Sequence, residues 1–152
     1  MKQMKQMKQM NIRRYVNNHL QYMSEREMIE DLGIDEFKKL RGLLGKRILI
    51  IKFSAEWCKP CQKIKAFVHD QFAKMPENVV IADIDIDETM DLYIALKNKK
   101  MVTGVPSLLA FHGDVTREDE HWYISDKNIS GSNENDVGLF FKHCSEKATS
   151  MI

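Results

Sequence analysis

Apolar residues recur along this chain in two rhythms, and their alternation sketches a fold. Ile48-Leu49-Ile50-Ile51, continued by Phe53, is the short unbroken run that fills a buried strand. Val79 to Ile86 and Ser107 to Phe111 repeat it. Between these runs the spacing becomes helical. Lys59 to about Lys74 sets Ile64, Phe67, Val68 and Phe72 on one face. Asp35 to Leu44 does the same with Phe37, Leu40 and Leu44, and Gly45 supplies a stop signal. Glu88 to Lys97 reads as a further helix. After a polar stretch, Gly113 to His121, a strand is expected near Trp122 to Ile129, with Trp122 packing this hairpin. Gly131 breaks that strand, and Ser132 can cap a last helix with Val137, Phe140, Phe141 and Cys144 on one face. Met28 to Leu32 fits a short strand or a helix end equally well.

Strand–helix–strand crossings imply parallel pairing, and the short link before Trp122 implies an antiparallel hairpin. The expected class is α/β, a mixed central sheet covered by helices on both faces. At 152 residues the chain is long enough for one domain with a real core. Its start departs from this pattern. Residues 1–10 repeat Met-Lys-Gln and end on Met10, and Lys2, Lys5, Lys8, Arg13 and Arg14 meet no acid before Met23. Ile12, Val16, His19, Leu20 and Met23 allow an amphipathic helix over 11–23, followed by Ser24 and Glu27 as a capping box. The division expected is a basic extension, 1–24, and a domain, 25–152.

Charge narrows the function. A net charge of +1 argues against nucleic acid as a partner, and no apolar run reaches the roughly 20 residues of a membrane span. No secretory leader is evident, so a cytoplasmic, reducing location is expected; the arm fits mitochondrial targeting in charge but not in its lack of serine. Three cysteines cannot build a disulfide framework. Two of them, Cys58 and Cys61, have C-x-x-C spacing where a buried strand turns into a helix. A thiolate there gains from free backbone N–H groups and the positive end of the helix dipole. Cys58 is expected exposed at the helix start and Cys61 more shielded one turn in. That asymmetry suits thiol–disulfide exchange, with Cys58 attacking and Cys61 resolving. Lys59 adds positive charge, and Pro60 is tolerated in the first turn. The alternative is half of a zinc site, which Cys144, His112, His121 and His143 would have to complete; none is paired at standard spacing. Neither metal nor cofactor is therefore expected, and Cys144 reads as a buried core thiol.

The run Ile50-Ile51-Lys52-Phe53-Ser54-Ala55-Glu56-Trp57-Cys58-Lys59-Pro60-Cys61 resembles the active-site segment of thioredoxins, and Thr103-Gly104-Val105-Pro106-Ser107 resembles their cis-proline loop. The likeness runs from about Glu27 to Cys144. It implies a thioredoxin fold, Pro106 in cis facing Cys58, and substrate contacts at Trp57, Lys59, Pro60, Gly104, Val105, Pro106 and Gly131. It also implies disulfide-containing proteins as substrates and a reductase as electron donor. The chain departs from the family at Lys52, where thioredoxins keep a buried acid, and at Asp83, where they usually keep a lysine. Ala66 stands for a helix proline, Lys59 for glycine, and Gly113 to His121 for a tight turn. The sign exchange predicts a buried Lys52–Asp83 ion pair, with Asp83 as proton acceptor for Cys61. Abundant Lys and Ile, with this exchange, suit a large DNA virus with an AT-rich genome, in which case a virion location would also fit. The expected activity is reduction of protein disulfides by a monomer, with the arm available for oligomerisation. An oxidase or isomerase on the same fold, or a binding module without activity, are the alternatives.

Overall fold

The computed structural model describes residues 27–152. The expected helix over 11–23 and the Ser24 cap lie outside the described residues. The order is α1 (Ile34–Gly42), β1 (Ile48–Ser54), α2 (Lys59–Lys74), β2 (Val79–Asp85), α3 (Asp91–Asn98), β3 (Ser107–His112), β4 (Lys127–Ser130) and α4 (Glu134–Ser150). The strands form one mixed sheet in the order β2-β1-β3-β4. β1 runs parallel to β2 and antiparallel to β3, and β4 closes the hairpin with β3.

The pleat of β1 sorts the core into two layers. Leu49, Ile51 and Phe53 pack with Phe37 and Leu40 of α1 and Leu92 and Leu96 of α3. Ile48 and Ile50 face the other way, toward Ile64, Val68 and Phe72 of α2 and Val137, Phe140, Phe141 and Cys144 of α4. Successive strand side chains point to opposite faces, and both faces here are covered by helices, so the run reads as continuously apolar.

The structure corrects several boundaries. Only Ile29 of the ambiguous Met28–Leu32 segment is strand-like, bridging to Ala82 in parallel. α3 starts at Asp91, not Glu88, because Asp85 captures the intervening N–H groups. Its carbonyl accepts from Glu88 and Thr89, and its side chain from Asp87. The strand expected from Trp122 begins at Lys127, since the residues before it turn back. Asp119–His121 form a 3₁₀ turn, and Trp122 packs edge-on against Phe37. Asn133, not Ser132, caps α4, accepting from the Asp136 N–H at 3.0 Å. Gly131 holds φ at 104°, a backbone conformation that suits glycine.

Candidate active site

Cys58 and Cys61 sit where β1 passes into α2. Cys58 is the N-cap of α2, and its sulfur accepts from the Cys61 N–H at 3.2 Å. Pro60 follows in the first turn, where a missing N–H costs no helical bond. The two cysteines form a disulfide with 5.2 Å between Cα atoms. The expected order of exposure holds but its extent does not: Cys58 is 5% exposed and Cys61 1%. Capping folds the Cys58 side chain back over the first turn, with the Val105 carbonyl 3.6 Å from its sulfur. The exposed approach is Trp57, 66% exposed, with Lys59 and Pro60.

The Val105–Pro106 peptide is cis, as expected. Ser107 anchors this loop, its hydroxyl donating to the Gly104 carbonyl and meeting the Ser130 hydroxyl at 2.9 Å. The Gly131 N–H donates to the Pro106 carbonyl at 3.0 Å. The Gly104–Pro106 loop and Gly131, distant in sequence, thus meet, and Val105 brings the loop beside Cys58. Pro106 itself is buried, while Gly131 is exposed.

Lys52 and Asp83 are register partners on β1 and β2, with 3.5 Å between Nζ and Oδ1. Burial pushes the Lys52 ammonium below its usual range, Asp83 pulls it back up, and Lys65 lowers it further. Lys52, Asp83 and Cys61 line one cavity of about 310 Å³, together with Glu30, Lys65 and Asp85. Sequence reading missed His69. Its Nε2 lies 3.2 Å from the second oxygen of Asp83. The available signal was spacing: Cys61, Lys65 and His69 fall four residues apart on α2.

The residues weighed for zinc lie elsewhere. His112 and His143 stack with their Nε2 atoms 3.4 Å apart, His121 is exposed, and Cys144 is buried in the far core layer. Burial pushes the Cys144 thiol up to about 12, so it is inert at neutral pH. Among the described residues no three His, Cys, Asp or Glu side chains are grouped to hold a metal.

Comparison with known proteins agrees with this geometry. Thioredoxin of Ophiophagus hannah is 36% identical over 66 residues, 43% of this chain and 62% of that one. Thioredoxin 3 of Plasmodium falciparum is 33% identical over 101 residues, 66% of this chain and 50% of that one. The chain thus spans about half to two thirds of the length of these curated relatives. The crystal structure of Malassezia sympodialis thioredoxin superposes with a TM-score of 0.56 at 20% identity, covering 79% of this chain and 93% of that one, a likeness of fold. The thioredoxin family model matches residues 33–129, from the start of α1 into β4. With the cysteine pair on α2 and the cis-proline loop inside that span, the chain belongs to the thioredoxin family.

Proposed function

We propose that this protein reduces disulfides in other proteins by dithiol–disulfide exchange. One observation carries the reading: a cysteine pair at a helix start, already at bonding distance, beside the Val105 carbonyl and the cis Pro106. The Cys58 thiolate, favoured by the α2 N-terminus and Lys59, attacks one sulfur of a substrate disulfide. The substrate S–S bond breaks, and the released sulfur takes a proton from water. The Cys61 thiol then loses its proton to Asp83 across the shared cavity, where water fits between polar groups. Its thiolate attacks Cys58 and releases the second substrate sulfur. Two electrons have passed to the substrate, and Cys58–Cys61 remains as the disulfide. An electron-donor reductase, or dithiothreitol in vitro, restores the dithiol.

In this reading Trp57, Lys59, Pro60, Gly104, Val105, Pro106 and Gly131 form the substrate surface, and Lys52 positions Asp83. The protein works as a cytoplasmic monomer, and residues 1–24 are an extension beside the domain 25–152. Removing residues 1–22 should leave melting and turnover nearly unchanged. The central test is trapping. Cys61→Ser should accumulate a mixed disulfide with a substrate such as insulin, and Cys58→Ser should not. Equal trapping by both variants would overturn the assignment of roles. A failure of the intact chain to reduce insulin would overturn the activity.

A further inference from the structure

Asp83 is held from two sides, and only one of its partners reaches water. Along the line Cys61, Lys52, Asp83, His69 the exposure rises outward: Cys61 is 1% exposed, and the Lys52, Asp83 and His69 side chains are 3%, 20% and 39% exposed. His69 lies two turns beyond Cys61 on α2, about 12 Å along the axis at the helical rise. Its ring is steadied by Phe72, the two rings near parallel at 27°. The charged groups facing this line are Asp83 and Asp85 from β2, Lys52 from β1, Lys65 on the same helix, Glu30 from the segment before α1, and Glu56 and Glu88 at the cavity rim. Asp70, the neighbour of His69, is engaged by Lys74 at 2.9 Å.

We propose that His69 is the outward leg of the proton path from Cys61. This rests on the reading that Asp83 accepts the Cys61 proton. The Cys61 S–H bond breaks and the proton reaches Asp83, whose carboxylate becomes a neutral acid. Asp83 passes it to His69 Nε2, and the ring releases a proton from Nδ1 to water. Charge returns to its starting balance, and exchange of both ring protons with water resets His69 from the Nε2–H to the Nδ1–H tautomer, so that Nε2 can accept again in the next turnover. No electrons move in this step. Lys52 takes no part in the transfer: it fixes one oxygen of Asp83 and leaves the other turned to His69. Histidine suits the role because its ring has two nitrogens, so one can take a proton while the other gives one up.

The test follows the reduced full-length chain reacting with a disulfide peptide in stopped flow, separating mixed-disulfide formation from its resolution. His69→Ala should slow resolution about tenfold or more, less than the roughly 10²–10⁴-fold of a group that acts on the reacting atom itself, and leave formation unchanged. Added imidazole should restore the rate in His69→Ala and do nothing to the wild type. His69→Gln, which keeps a hydrogen bond to Asp83 but cannot relay a proton, should be as slow as His69→Ala. Normal resolution in both variants would overturn the relay; if Asp83→Asn is then still slow, the Asp83 reading stands alone. If Asp83→Asn also resolves normally, both ideas fall. Slow resolution without imidazole rescue, or full recovery in His69→Gln, would make His69 a packing residue and overturn the relay.

Discussion

The two faces of β1 are built from the same strand to opposite ends. Toward α1 and α3 it presents Leu49, Ile51 and Phe53, apolar from end to end. Toward α2 and α4 it starts apolar, with Ile48 and Ile50, and then Lys52 breaks the pattern beside Cys61. Beside the other end of this face, the neighbouring strand β3 supplies a polar group. His112 pairs in register with Ile48 and stacks on His143 of α4. The first face is a foundation whose value is burial. The second face gives up apolar contact at Lys52, and with His112 of β3 at the opposite end it is flanked by titratable groups; the cysteine pair sits at the Lys52 end. A site on this fold is thus a local interruption of the packing pattern, held in place by the uninterrupted face behind it.

The contrast can be broken from the foundation side first. Phe53 is fully buried and meets Tyr93 edge-on with ring centroids 5.3 Å apart. Phe53→Ala should cost about 3–5 kcal/mol, measured by urea unfolding. A loss under about 1 kcal/mol would show that this face collapses around the gap and is no foundation. On the other face, Asp83→Asn leaves the Lys52 ammonium buried without its anion and should cost about 3 kcal/mol. Lys52→Met should cost less, because Asp83 keeps His69 and some access to water. The double variant should recover much of the loss. Simple additivity would show that the two charges do not act as a pair.

The smallest effect sharpens the comparison at the far end of the strand. Burial pushes His112 below its usual range, opposed by Asp126 and aided by His143. A depressed group contributes stability that is present above its unfolded value, 6.5, and lost as pH falls through its folded one. Thermal stability should therefore decline as the solution is acidified below about 6.5, and His112→Gln should flatten that decline. An unchanged slope in the variant would assign the acid sensitivity to other groups.

Much of this was legible in the sequence because the strongest signals are periodic. The α2 boundaries follow from the apolar stripe and from Pro60 in the first turn, and they match Lys59–Lys74. The Lys52–Asp83 pair was legible because an isolated charge in an apolar strand is costly, so each residue called for a partner. His69 was not, since one histidine on a helix has no spacing of its own; only the strand brought beneath it gives it meaning. The stretch before β4 was misread because Trp122 and Ile124 look like strand residues until Phe37 offers the Trp122 ring a place to pack. The depth of Cys58 was misread for a similar reason. Spacing shows where a helix begins, but not that a capping sulfur turns inward against a loop 47 residues away.

The bridge at Ile29 bears on how the domain is bounded. Among the described residues β2 and β4 are the outer strands of the sheet. An open strand edge is a template for unwanted association with another chain. On β2 the Ile29 N–H donates to the Ile81 carbonyl at 2.9 Å, and the Ile29 carbonyl accepts from the Asp83 N–H at 2.8 Å. These bonds occupy the edge next to Asp83, yet the segment that makes them precedes the family match, which begins at residue 33. A version trimmed to the family boundary would keep both cysteines and the cis proline, bare the rim of β2, and free the backbone of Asp83. Its expected fault is self-association through that rim before any loss of chemistry.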